Sequence, residues 1–397
     1  MVAAEPEPEL EGATVTTSLT VLVDATSIPP SLGGVGRYLQ HLIPELAALP
    51  DLDVVVACQE RDREWISEAA PSARVVVPAG WAASRAGRLL WEQLGLPRLA
   101  RRVGAQVIHA PHYTMPLLSR VPVVVTFHDA TFFSHPALHS RLKRVFFRGW
   151  SRASSALASA VVVPSIATRD EELRYLPRFR AQIVVAYHGV DAQMFALPTA
   201  GALADVARDF DLPESGWLSF LGTIEPRKNI ANLVRAYDSL SRERSMPPLV
   251  VAGAKGWDEE TGAVVAALPA GTDVRLVGYV PAEQLAALLG GSTIFVYPSL
   301  GEGFGLPVLE AMASGAPTLT TRELALPEVG GDAVAYTGTS WQEIAVAIAA
   351  LLDDDEMRGR MRQAGLARAS EFTWKRSAIA HREAYAAAAS GRTRRVN

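Results

Sequence analysis

Cysteine is almost missing from this chain: Cys58 stands alone among 397 residues. No internal disulfide is available, and the clustered Cys and His spacing of a structural zinc site is absent. Such usage suits a reducing compartment, and a cytoplasmic location is expected. Long apolar runs are missing too. Stretches such as Val161 to Val163 and Leu249 to Ala252 fall far short of the ~20 residues that a bilayer span needs. At the start, Met1 to Leu19 carries Glu5, Glu7, Glu9 and Glu11 where a secretory signal would have a basic segment and an apolar core. A disordered tail over residues 1–18 is the expectation. Charge of one sign is also scarce: 38 Lys and Arg against 42 Asp and Glu leave a formal charge of -4, so the whole molecule offers nucleic acid no long-range attraction. What remains, 49% hydrophobic and 20% charged residues, excludes a mostly disordered chain and leaves enough apolar material for a sizeable core.

The length exceeds what one hydrophobic core usually organises, so two domains of roughly 200 residues each are expected. Short β-branched runs at Leu19 to Ala25, Asp53 to Cys58, Ala73 to Val77, Ala105 to Ala110, Val121 to Phe127, Ala160 to Pro164 and Gln182 to Tyr187 alternate with segments of helical period. That rhythm predicts a parallel sheet with helices on both faces. It restarts after Phe195 to Leu203, with runs at Trp217 to Leu221, Leu249 to Ala252, Val274 to Val277, Thr293 to Tyr297, Ala316 to Thr320 and Ala333 to Tyr336. The expected division is therefore an N-terminal domain over 19–195, a linker over 196–204 and a C-terminal domain over 205–372. A last helical stretch within 373–397 is free to cross back to the first domain. No repeat is evident, and a cleft between two such domains is the natural ligand site.

Four segments carry chemistry. Tyr297 to Gly315 links a buried strand to a helix; Gly301, Gly303 and Gly305 let backbone approach a ligand, and Pro307 suits a first helical turn whose free amides face an anion. Glu302 and Glu310 are carboxylates suited to sugar and ribose hydroxyls. Turn chemistry alone, with Glu310 solvated, explains the same residues. Phe220 to Asn229 is a second strand-to-helix junction, where Arg227 and Lys228 sit near a helix start whose dipole disfavours them, as anion binding would require; an exposed basic pair on a surface turn is the alternative. Gly33-Gly34-Val35-Gly36 is followed by Tyr38 and Leu39 where a dinucleotide fingerprint needs a third glycine, so that cofactor reading fails. A loop closing on phosphates or acceptor remains, beside a plain turn. Val125 to Asp129 ends a strand, putting His128 and Asp129 at the cleft edge. His109 and His112 after another strand suit the acceptor side or the core equally, and His188 reads as structural.

Together these residues resemble the retaining glycosyltransferases of family 4, also called glycosyl transferases group 1, over nearly the whole chain. Glu302 and Glu310 stand in the E-x7-E spacing, Arg227-Lys228-Asn229 matches the R-K-N element, and Gly33 to Arg37 looks like the glycine loop of the N-terminal domain. The resemblance implies an α/β fold of GT-B type, two Rossmann-like doubly wound domains facing a central cleft. It implies that Glu302 contacts donor-sugar hydroxyls, Glu310 the ribose, Arg227 and Lys228 the diphosphate, and Gly303, Phe304, Gly305 and Leu306 the sugar and phosphates. The base would lie near Val277 and Tyr279, and His128 with Asp129 beside the reacting carbon. The donor implied is a GDP- or UDP-linked hexose, mannose or glucose-type, with no cofactor and no metal, transferred with retention to a glycan or lipid-linked acceptor.

Two N-terminal stretches bear on that acceptor. Arg85, Arg88, Trp91, Arg98, Arg101 and Arg102 share one helical region, and Arg141, Lys143, Arg144, Phe146, Phe147, Arg148, Trp150 and Arg152 another without acids. Basic residues interleaved with aromatics suit peripheral contact with the inner face of a membrane; a solvated basic face over a buried aromatic stripe fits as well. Rival functions are a nucleotide-sugar epimerase or hydrolase of the same fold, and a non-catalytic sugar-nucleotide-binding protein.

Overall fold

Strand residues here are apolar on both faces, so each strand needs cover above and below, and the helices supply it. The computed structural model describes residues 18–28, 34–176, 179 and 181–391; residues 1–17 of the tail expected over 1–18, and Gly33 of the glycine loop, lie outside them. The first sheet holds β1 (Leu19–Asp24), β2 (Leu52–Ala57), β3 (Arg74–Val76), β4 (Val107–Ala110), β5 (Val123–Thr126), β6 (Ala160–Val163) and β7 (Gln182–Val185). They run parallel in the order β3-β2-β1-β4-β5-β6-β7, with Leu19 opposite Leu52 and Asp24 opposite Ala57. The second sheet holds β8 (Trp217–Leu221), β9 (Leu249–Ala252), β10 (Val274–Gly278), β11 (Ser292–Tyr297), β12 (Thr318–Thr321) and β13 (Ala335–Thr337). Its order is β10-β9-β8-β11-β12-β13, again parallel. In each sheet the order reverses beside the first strand, so a crevice opens at the carboxyl ends of the strands there. The expected doubly wound α/β architecture is what the chain adopts.

Pleating sorts the first core into two. Val21, Val23, Val54 and Val56 pack on one face, and Leu22, Val55, Ile108 and Val125 on the other. The C-terminal helix Trp374–Ala389 belongs to the first of these: Trp374, Ala378, Ala384, Tyr385 and Ala388 share its core with Tyr38 and Leu42 of the helix Gly34–Ala47.

A buried polar chain fixes that docking. His381 Nδ1 lies 2.7 Å from the carbonyl of Ser377 and so carries the proton it donates there. His381 Nε2 is then an acceptor, 2.6 Å from Tyr38 Oη. Tyr38 Oη lies 3.0 Å from Thr126 Oγ1, which lies 2.9 Å from His109 Nε2, and His109 Nδ1 accepts from Tyr385 Oη at 2.9 Å. One direction of donation satisfies every member, as a buried network must. His109, left open between acceptor side and core by the sequence, is a fully buried member of this chain.

Local geometry departs from expectation in places. The helical region expected to carry Arg85 to Arg102 is split into Arg85–Leu90, a π turn at Trp91–Gly95, and Leu96–Arg102. Pro97 has no N–H to continue the ladder, so it is re-phased just before. The helix Ala200–Asp209 begins inside the stretch expected as a linker over 196–204, with the Thr199 side chain accepting from the Ala202 amide, as a Thr cap does.

Tyr38→Phe is expected to leave His381 Nε2 without its donor and to lower unfolding stability by ~1–3 kcal/mol. Urea denaturation checks this, and an unchanged midpoint would count against the network.

Candidate active site

The loop after β11 is positioned by what glycine lacks. A Cβ on Gly303 would lie 1.8 Å from the carbonyl oxygen of His128, so only glycine lets the second domain come this close to the first. The Gly303 carbonyl accepts from Ser165 Oγ at 2.7 Å and Thr168 Oγ1 at 3.0 Å. Gly305, at φ 103° and ψ 47°, turns the chain into the helix Leu306–Ala313, with Pro307 in its first turn. Phe304 is buried against His188 and Phe372, and Leu306 packs against the cores of both domains.

Glu302 sits inside a charge cluster. Its Oε1 accepts from Lys228 Nζ at 2.7 Å, Tyr297 Oη at 3.0 Å and Ser299 Oγ at 2.6 Å. Its Oε2 pairs with Arg227 at 2.5 Å. Arg227 also donates to the Gly301 carbonyl at 2.7 Å and to Glu225 at 2.8 Å. Burial alone would push the Glu302 carboxyl up, but Arg227 and Lys228 more than offset this and hold it at about 2. Burial and the neighbouring Arg227 pull the Lys228 ammonium down. For Arg227 burial pulls down as well, yet Glu302, Glu225 and, from the other domain, Asp129 together hold it up.

Asn229 explains why the element reads Arg-Lys-Asn. It stands in the left-handed region at φ 59°, a conformation Asn tolerates better than most residues. Its side-chain amide donates to the Pro298 carbonyl at 3.1 Å and the Thr339 carbonyl at 2.8 Å. The loop bearing the two cations is thereby tied to the loop bearing Glu302.

Glu310 is buried, and its Oε1 pairs at 2.9 Å with Arg37 from the other domain. Its Oε2 is buried without a hydrogen-bond partner among the described residues. Burial pushes the Glu310 carboxyl up, and Arg37 pulls it back in part. Gly34 opens the helix that carries Arg37, and Gly36 is buried within it. Val277 lies on β10 against the second core, while Tyr279 just beyond is 80% exposed.

His128 donates from Nε2 to the Pro111 carbonyl at 2.7 Å, which leaves Nδ1 as the lone-pair nitrogen. Burial pulls its imidazole down, favouring the neutral form. Its ring meets Tyr38 edge-on at 5.1 Å and lies 6.2 Å from His188. Asp129 uses Oδ1 to accept from the amide and hydroxyl of Thr131, at 3.0 and 2.7 Å, so much of its work is to fix the turn after β5. Among the described residues no group of three or more His, Cys, Asp or Glu is placed to hold a metal ion.

The sequence patterns of known families fall on both halves. The description "Glycosyltransferase Family 4" matches residues 32–194 and "Glycosyl transferases group 1" residues 213–368. An O-antigen chain mannosyltransferase B of Escherichia coli is 30% identical over 365 residues, spanning 87% of this chain and 93% of that protein. The chain belongs to glycosyltransferase family 4. Solved structures agree on the GT-B fold of this glycosyltransferase. Sucrose-phosphate synthase from Thermosynechococcus elongatus superposes with a TM-score of 0.74 at 19% identity, covering 93% of this chain and 98% of that one. Anabaena HepE in complex with UDP and glucose gives 0.71 at 17%, covering 92% and 98%.

In this glycosyltransferase the structure gathers Arg227, Lys228 and Glu302 into one cluster and brings the Gly303 loop onto His128, whereas Val277 and Tyr279 stand apart on β10 and beyond it. Sequence reading missed Glu225, Tyr297, Ser299 and Arg37. Tyr297 and Ser299 lay within the quoted loop segment, and Glu225 two residues before Arg227, so proximity to the cations was the available signal. Arg37 closed the glycine-loop segment, but its pairing with Glu310 could not be read, because the partner lies 273 positions away.

Glu302, with its carboxyl held down from the ordinary 4.5 to about 2, contributes stability that is fully present above pH 4.5 and is lost as the pH falls toward 2. Glu302→Gln is therefore expected to lower the melting temperature at neutral pH, with the gap to the unaltered protein narrowing across that interval. Thermal melts over a pH series check it; a gap independent of pH contradicts the assignment.

Proposed function

We propose that this glycosyltransferase moves a hexose, mannose foremost, from a GDP- or UDP-linked donor to a glycan or lipid-linked acceptor, with retention and without a metal ion. The observation that carries the reading is the convergence, on the rim of the second sheet, of Arg227, Lys228, the amides before the Leu306–Ala313 helix and the half-satisfied carboxylate of Glu310. Two cations and a helix N-terminus suit a departing diphosphate, whose growing charge they stabilise without reorganisation. Glu302 keeps both cations in place and is the carboxylate available to sugar hydroxyls. Glu310 Oε2 suits a ribose hydroxyl, since a buried acceptor without a donor is costly. The mannosyltransferase relative supports mannose as the sugar, and the UDP and glucose held by Anabaena HepE support the donor class.

Neutral His128 beside Gly303 suits contact with the sugar rather than neutralisation of phosphate. In this reading no side chain supplies a covalent nucleophile, and the leaving phosphate takes the acceptor proton on the face it departs from. Glu310→Ala is expected to weaken nucleotide binding at least tenfold, a change of about 1.4 kcal/mol, while His128→Ala lowers kcat more than it raises KM. Calorimetry with GDP and UDP, and turnover with GDP-mannose and UDP-glucose, test this; the opposite pattern sinks the role assignments.

No helix among the described residues is long and apolar enough to cross a membrane. For the acceptor we infer a peripheral contact of the N-terminal domain with the inner face of a membrane, carried by the helix Arg141–Leu157. Leu142 and Val145, 82% and 69% exposed, stand among Arg141 and Lys143 on it. Arg144 and Arg148 are less available than the sequence suggests, since they donate to the carbonyls of Pro136 and Phe132 at 3.4 and 2.7 Å. Replacing Leu142 and Val145 together by Asp is expected to abolish co-sedimentation with phosphatidylglycerol vesicles; retained, salt-insensitive binding refutes the contact.

A further inference from the structure

We propose that Arg37 is a positioning residue for the donor: it holds Glu310 from the opposite domain, so that the ribose end of the site is complete only when the two domains meet. This deepens the donor reading above and rests on it. Arg37 lies in the first turn of the Gly34–Ala47 helix, and its guanidinium reaches Glu310 Oε1 at 2.9 Å across the cleft. A carboxylate fixed through one oxygen has its plane set, and Oε2, buried and without a partner among the described residues, is left for a hydroxyl donor. Among the described residues Arg37 is the charged side chain that acts on Glu310, and it opposes the burial that favours the protonated acid. A ribose diol needs an acceptor, so an ionised Glu310 serves it better than a neutral one.

The pair is not what keeps the domains together. Gly303 already abuts His128, and the Ser165 and Thr168 hydroxyls hold its carbonyl. Glu328 of the second domain accepts from the amides of Ile166 and Ala167 at 2.7 and 3.1 Å and from Tyr187 Oη at 2.5 Å. The Arg37 side chain is itself 34% exposed against 5% for Glu310, so trimming it opens no cavity. Its position fits control of one carboxylate better than support of the interface.

The test compares GDP, UDP and inorganic pyrophosphate as ligands of the full chain, by calorimetry or as competitors of the donor. The variants are Arg37→Ala, Arg37→Lys, Glu310→Gln and the double Arg37→Ala/Glu310→Gln. Arg37→Ala is expected to weaken the preferred nucleoside diphosphate about tenfold, to leave pyrophosphate within about twofold, and to raise KM with little change in kcat. Arg37→Lys restores most of the loss, and in the Glu310→Gln background Arg37→Ala adds less than about twofold. Equal losses for pyrophosphate and nucleotide, or additive losses in the double variant, overturn the proposal and make Arg37 a phosphate ligand or a structural residue. If Glu310→Gln alone leaves nucleotide affinity unchanged, the donor reading falls at Glu310 and the proposal with it.

Discussion

A carboxylate withdrawn from water has to be met by charge or by a proton, and Glu302 is met by charge. Arg227 and Lys228 come from the turn after β8, Tyr297 from the end of β11, and Ser299 and Glu302 from the loop that follows. Neutralising one buried group therefore joins segments that are separate in the chain. The same pairing sets how much positive charge is left for a ligand. Glu225 and Glu302 together balance Arg227 and Lys228, so the cluster is an ordered array of donors rather than a free excess of cations. In the proposed reading an incoming diphosphate would exchange one set of acceptors for another, which costs less rearrangement than recruiting loose side chains.

Closure of the cleft follows a different logic, that of backbone on backbone. Gly303 against His128 and the hydroxyls on the Gly303 carbonyl place the glycine loop within reach of β5 and of the start of the Ile166–Tyr175 helix. Lys143 stands 5.1 Å from the ring centroid of Trp257 on the far side of the cleft. Contacts of this kind are polar in part.

Much of the fold could be read because both sheets are parallel and covered on two faces, so their strands announce themselves as apolar runs such as Val54 to Ala57 or Phe295 to Tyr297. Helices such as Glu259–Ala266 did not, since alanine and acids on a surface give no clear apolar stripe; Ala200–Asp209, which lays Ala202, Leu203, Val206 and Ala207 against the second core, was hidden by its place inside the stretch expected as a linker. The candidate site was legible where it is local. Gly303, Gly305 and Pro307 state a strand-to-helix turn in order, and the spacing of Glu302 and Glu310 follows from it. What could not be read is long-range pairing. Nothing near Arg37 announces Glu310, and nothing near His109 announces Tyr385.

The helix Trp374–Ala389 belongs in space to the half of the molecule made first. During synthesis, then, the face formed by Tyr38, Leu42 and Val23 stays uncovered while the whole second half is still being translated, on the order of tens of seconds at ordinary ribosome speeds. Folding of the opening domain is in this sense clocked by the translation of residues 374–389. A chain released early has its second sheet but leaves an apolar wall bare, the form that chaperones and proteases recognise.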